Sequence, residues 1–157
     1  MAFIINFSNS HIHRTGDVRL PGIRQNTSLM PIRKSPAKAP KVLVADDEPQ
    51  VRRLFVKKLR DAGYDVTEAK SGDEALRLLG KTAFRVLVLD LDMPGADGFE
   101  VLKAARAEHP GLSVLVISGY MGGALLEAAR CLGATMALSK TSAPKLLVPT
   151  VGKLVEG

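Results

Sequence analysis

From residue 41 onward, short apolar runs alternate with stretches whose apolar residues recur every three to four positions. Lys41–Ala45 is a short apolar run that ends at the acidic pair Asp46-Asp47. Beyond it, Val51, Leu54, Phe55, Leu59 and Ala62 follow helical spacing, with Arg52, Arg53, Lys57, Lys58 and Arg60 on the other face. Pro49 suits the first turn of that helix and Gly63 its stop. Tyr64–Ala69 reads as a second strand, mixed enough in polarity to lie near a sheet edge. Ser71 is the expected cap of a second helix that runs to about Lys81, with Asp73 and Glu74 complementing its dipole.

Phe84–Leu89 is the third strand, an all-apolar run bounded by turn residues, as in a buried parallel sheet. It delivers Asp90 into a loop holding Asp92, Pro94, Gly95 and Gly98, and a helix follows from about Gly98 to Glu108. Ser113–Ile117 is a fourth strand ending at Ser118, and Gly119–Gly123 is a glycine-rich loop. Ala124–Leu132 is a fourth helix, and Thr135–Leu138 a fifth strand ending at Ser139-Lys140. A last helix, capped by Ser142, spans about Ala143–Val155 and holds Pro149 and Gly152, which predict a bend or weak point. Five strands alternating with five helices predict an α/β domain with a doubly wound parallel sheet and right-handed crossovers.

Composition adds three constraints. The chain is 46% hydrophobic but has no Trp, two Tyr and five Phe, so the core must be aliphatic. One cysteine, Cys131, excludes an internal disulfide and reads as a small core or interface residue on the fourth helix. No run approaches the ~18 apolar residues of a membrane span, and Met1–Phe7 lacks the features of a secretory signal. A cytoplasmic protein is expected.

Charge is unevenly placed. The net +6 resides in residues 1–41, which carry seven basic residues and one acid, Asp17. The remainder is neutral, with no basic helical stripe of the kind that tracks phosphates, so nucleic acid is not an expected partner. Residues 1–40 show no helix or strand period and contain four prolines, which predicts a disordered basic extension before a folded domain at 41–157.

The candidate chemistry lies at strand ends. Taken alone, Asp90 reads equally well as a turn cap. In a parallel α/β sheet, however, Asp46, Asp47, Asp90, Ser118 and Lys140 all end strands at one edge, where such folds bind ligands. Carboxylates brought together there repel one another and disfavour ionisation. A hard divalent cation such as Mg2+, which takes oxygen ligands, relieves that repulsion. A lysine and a hydroxyl suit an arriving phosphoryl group.

With Val44-Ala45-Asp46-Asp47-Glu48, Leu89-Asp90-Leu91-Asp92-Met93-Pro94 with Asp97-Gly98, Ile117-Ser118-Gly119, and Gly133-Ala134 before Lys140, the chain resembles the CheY-like receiver domain of two-component response regulators. The resemblance covers about residues 41–157. It implies a flavodoxin-like (βα)5 fold with strand order 2-1-3-4-5. It makes Asp90 the phosphoacceptor, taking its group from a sensor histidine kinase or a histidine phosphotransfer protein. It also implies Mg2+ bound by Asp47, Asp90 and the backbone carbonyl of Asp92, with Asp46 acting through water. Ser118 would move to the phosphoryl group and Lys140 would pair with it.

Two positions depart from the family pattern. Ala137 stands where the family has an aromatic switch residue, and Thr141 where it often has a proline in a cis bond. Switching is therefore expected through the Ser118–Gly123 loop and the fourth helix, with Tyr120 taking part. Leu125 and Leu126 on that helix, with the fifth strand and helix, form the expected surface for a protein partner or a second copy.

Because nothing follows Gly157, the expectation is a stand-alone regulator that catalyses only its own phosphorylation and dephosphorylation. Two alternatives remain. One is a receiver-like interaction module with altered or lost switching. The other is a haloacid-dehalogenase-type phosphatase built on Asp90-Leu91-Asp92, although that family's remaining acidic ligands follow the lysine and here only Glu156 does.

Overall fold

The structure, a computed structural model, describes residues 38–94, 98–119 and 123–157, the side chains of Gly123 and Leu126 excepted. Residues 1–37 of the expected extension, and Tyr120, lie outside the described residues. Five parallel strands, β1 (Lys41–Ala45), β2 (Asp65–Ala69), β3 (Val86–Asp90), β4 (Ser113–Ser118) and β5 (Met136–Ser139), are ordered β2-β1-β3-β4-β5. Helices α1 (Pro49–Asp61), α2 (Gly72–Leu79), α3 (Gly98–Glu108), α4 (Gly123–Cys131) and α5 (Ala143–Glu156) connect and follow them. The flavodoxin-like order expected from the sequence is the one observed.

The all-apolar strands follow from a sheet covered on both faces. Successive side chains alternate between faces. Leu43, Ala45, Leu87, Leu89, Val114 and Val116 enter one core, which α2, α3 and α4 close with Ala75, Leu102 and Ala129. Val42, Val44, Val86, Val88, Leu115 and Ile117 enter the other, closed by Phe55 and Leu59 of α1 and Leu147 and Val151 of α5. In register, Leu43 pairs with Leu87 and Leu87 with Val114, so like positions stack across the sheet. The edge strand β2 shows the mixed exposure its composition predicts.

Several local expectations are corrected. β3 and β4 each run one residue further, so Asp90 and Ser118 are ladder residues, paired with Ile117 and Ser139, rather than loop residues beyond the strands. α5 runs through Pro149, and the expected weak point is flanked by Leu147 and Val151, both fully buried. Their packing outweighs a proline penalty of ~3 kcal/mol. Ser142 does not cap α5 with its side chain. Instead its hydroxyl turns back to donate to the Ser139 carbonyl at 3.2 Å, while its amide donates to the Ser139 hydroxyl at 3.1 Å. Cys131 is exposed rather than in the core, since α4 buries only Ala129 among its described side chains.

Gly98 begins α3 against the Asp90 strand end. A Cβ there would sit 2.5 Å from both the Asp90 carbonyl oxygen and the Leu91 Cα. Both are backbone atoms, so the loop carrying Asp90 must move if any side chain is present. Gly98→Ala is expected to destabilise the fold by about 2–3 kcal/mol, the upper range for overpacking. Urea unfolding monitored by circular dichroism checks this, and an unchanged midpoint would contradict the close approach.

Candidate functional site

The carboxyl ends of β1, β3 and β5 together supply a charged cluster. After β1 the Asp46 amide still donates to Ala69 of β2 at 3.2 Å, which keeps Asp46 buried. The chain then turns: Asp46 Oδ1 accepts the Glu48 amide at 2.8 Å. Asp90 repeats this device at the end of β3, its Oδ1 accepting the Asp92 amide at 3.1 Å. Both are Asx turns, in which a carboxylate bonds the backbone two residues on. Each fixes one carboxylate oxygen locally and leaves Oδ2 to face the cluster.

Lys140 supplies the cation. Its amide donates to the Ser118 carbonyl at 2.9 Å, continuing the β4–β5 ladder past Ser139. Its ammonium lies 2.7 Å from Asp90 Oδ2, 2.6 Å from Glu48 Oε1 and 3.7 Å from Asp46 Oδ2. The turn that orients it is held by hydroxyls, with Ser139 Oγ 3.0 Å from Thr141 Oγ1 and 2.7 Å from Ser142 Oγ.

Three carboxylates against one ammonium leave the cluster with excess negative charge. Burial, reinforced by the Asp90 charge and opposed by the Glu48 amide and Lys140, pushes the Asp46 carboxyl from 3.8 up to about 6. Burial likewise raises the Asp90 carboxyl, against the pull of Lys140 and the Asp92 amide. Burial works against the Lys140 charge, but Asp90 and Glu48 outweigh it and hold the ammonium above the ordinary lysine range.

The residues fit a hard divalent cation. Oxygen ligands of Asp46, Glu48 and Asp90 all lie within 4.8 Å of one another. Asp90 Oδ2 is fully buried with no hydrogen bond of good geometry, and the Lys140 ion pair is its contact. An all-oxygen donor set with unrelieved charge is the chemistry Mg2+ selects.

The sequence-predicted residues do not all converge. Asp46, Asp90 and Lys140 meet as expected. Asp47, the expected direct ligand, is half-buried and stands outside the three-carboxylate group, where Glu48 appears in its place. The Asx turn on Asp46 accounts for this by returning the chain at Glu48. Ser118 is fully buried, and its hydroxyl donates to Asp92 Oδ2 at 3.1 Å. The Gly119 amide donates to the same oxygen at 3.2 Å. The Asp92 side chain, where only the backbone carbonyl was expected to take part, is exposed and holds both donors. Leu125 and Ala137 are half-buried against the core on the α2, α3 and α4 face. The Leu126 side chain and Tyr120 lie outside the described residues.

Two functional contacts were missed in the sequence. Glu48 was legible as a third acid after Asp46-Asp47. Arg52 was placed on the basic face of α1 with no partner named, and it donates to the Asp46 carbonyl at 2.8 Å. A cleft of about 450 Å³ lined by Lys38, Lys41 and Lys81 opens at the amino ends of the strands, away from the charged cluster.

Comparison with known proteins agrees with this geometry. The family model described as "Response regulator receiver domain" matches residues 42–151. The response regulator receiver protein CpdR of Brucella abortus is 36% identical over 85 residues, covering 54% of this chain and 71% of CpdR. The chain spans 44% and 55% of two further curated relatives. Among solved structures, the receiver domain of the Francisella response regulator 1452 superposes with a TM-score of 0.71 at 31% identity, covering 74% of this chain and 97% of that one. The Thermotoga maritima response regulator TrrA, in complex with Mg2+-BeF, gives 0.67 at 28% identity, covering 73% and 98%.

The raised Asp46 carboxyl has a definite sign in stability. A carboxyl that titrates higher in the fold than in the unfolded chain favours folding while protonated. That contribution is present below about pH 4 and lost as pH rises through about 6. In chelator-treated buffer, Asp46→Asn is expected to be more stable than wild type above pH 6, by on the order of 1–3 kcal/mol, with the two converging near pH 4. Urea unfolding across that range checks it, and parallel curves would contradict the assignment.

Proposed function

The chain belongs to the response regulator receiver domain family, and from that premise we propose that it takes a phosphoryl group onto Asp90. The observation that carries this reading is the Asp90–Lys140 pair, a buried carboxylate with its Oδ2 2.7 Å from an ammonium at the carboxyl edge of the sheet. The donor would be a phosphohistidine on a sensor histidine kinase or a histidine phosphotransfer protein. An Asp90 carboxylate oxygen attacks phosphorus, the P–N bond breaks, and the leaving imidazole keeps the electron pair. Burial makes the Asp90 carboxylate more basic, and so a better nucleophile, than a solvated one. Lys140 stays charged and offsets negative charge gathering on the phosphoryl oxygens.

Asp46, Glu48 and Asp90 would hold Mg2+, joined by Asp47 and the Asp92 carbonyl as the family resemblance implies. Bound there, Mg2+ would neutralise the carboxylates and the incoming phosphoryl oxygens. The Ser118 hydroxyl and Gly119 amide would turn from Asp92 to the new phosphoryl group, carrying the change into α4 without an aromatic at Ala137. Output would pass by protein contact, to a downstream partner or a second copy, through α4, β5 and α5. Residues 41–157 would act as the receiver unit, in the cytoplasm, catalysing only their own phosphorylation and its reversal. The phosphatase alternative has no support in a family match that spans residues 42–151.

Incubation with acetyl phosphate and Mg2+, read by intact mass, tests the site. One phosphoryl adduct is expected on wild type, none without Mg2+, and none on Asp90→Asn; an adduct on that variant would sink the assignment. Phosphorylation is also expected to shift the backbone amide resonances of residues 118–132. If they stay unchanged, the switch does not run through α4.

A further inference from the structure

The acidic loop after β1 is gripped from outside by a basic side chain. Arg52 lies in the first turn of α1, four residues after Glu48. Its Nη1 donates to the Asp46 carbonyl at 2.8 Å and reaches the Asp47 carbonyl at 3.4 Å. Its Nε donates to Glu68 Oε2 of β2 at 3.2 Å. The side chain is only 14% exposed, although it belongs to the basic face of the helix. One guanidinium therefore joins two consecutive peptide units of the loop to the neighbouring strand.

We infer that Arg52 is a positioning residue for divalent-cation binding, setting the spacing of the carboxylates of Asp46, Asp47 and Glu48 through their backbone. This rests on the Mg2+-assisted phosphoryl acceptance proposed above. Mg2+ demands near-ideal octahedral oxygen geometry. A loop released from Arg52 loses that geometry while the apolar cores hold the fold. Partners outside the ligand set that orient ligands are worth about 10- to 100-fold in metal affinity. The charge of Arg52 alone would act in the opposite direction, because removing a cation beside an acidic site strengthens cation binding. The sign of the effect therefore separates positioning from electrostatics.

The test titrates Mg2+ into the full chain, following amide resonances of residues 46–48 and 90–92. It compares wild type with R52M, R52K and E68Q, with urea unfolding in parallel. R52M is expected to weaken Mg2+ binding by about 10-fold or more. R52K, which keeps the charge but not the paired donors, should fall between R52M and wild type. E68Q, which loosens the guanidinium without touching the loop, should fall between R52K and wild type. If R52M fails to fold, R52K and E68Q decide the matter. Unchanged or tighter Mg2+ binding in the folded Arg52 variants would overturn the inference and leave phosphoryl acceptance at Asp90 standing. No Mg2+ binding by wild type would overturn both.

Discussion

Two buried carboxylates, one exposed carboxylate and one ammonium meet at the carboxyl edge of the sheet, and much of the architecture serves to keep them there. The members come from far apart in the chain: Glu48 and Lys140 are 92 positions apart. Strand spacing sets the reach required. Adjacent strands lie about 4.8 Å apart, so β5 is about 10 Å from β3 across β4. The long lysine side chain and the Asp90 carboxylate close that distance together, meeting at 2.7 Å. The strand it crosses ends in Ser118-Gly119, two of the smallest residues available. The burial that raises the Asp46 and Asp90 carboxyls is thus built by the sheet, and it makes a cation at the cluster favourable.

The two cores explain why the sheet can hold such charge without yielding. Strand residues alternate into separate aliphatic layers, one backed by α1 and α5, the other by α2, α3 and α4. The charged ends of β1 and β3 continue strands whose preceding residues are almost wholly buried. Local turns finish the work. The Asx turns at Asp46 and Asp90 each spend one oxygen on the backbone and free the other. Gly98 lets α3 begin within contact of the Asp90 peptide.

Most of this was legible from the sequence because it depends on period and position. Four apolar residues ahead of Asp90, and three ahead of Ala45-Asp46, announce buried parallel strands, and the fold then gathers their ends. What escaped depends on reach and on local hydrogen bonding. Arg52 and Glu48 have long side chains that act several ångströms from where their helical phase would place them. Asp47 and Glu48 are both acidic, and only the turn made by Asp46 decides which joins the cluster. Ser142 stands at the N-cap of α5 as its pattern suggests, but its hydroxyl turns back to the Ser139 carbonyl rather than onto a helix amide. Cys131 lies in an apolar pattern yet stays exposed, since among the described side chains of α4 it is Ala129, with Leu125 beside it, that packs on the core.

The clasp between Asp92 and the Ser118–Gly119 turn sets a cost on any other use of these two donors. Both donors point at one carboxylate oxygen, so the chain already satisfies them with an anion of its own. Any other acceptor must displace Asp92 before it can use them. A hydrogen bond to a charged group contributes about 1.5–3 kcal/mol, and the exposure of Asp92 puts this one at the lower end. A bias of about 1.4 kcal/mol is a tenfold preference for the clasped form. The Ser118 hydroxyl and Gly119 amide are therefore not idle donors but committed ones, and the residue two places after Asp90 sets how firmly.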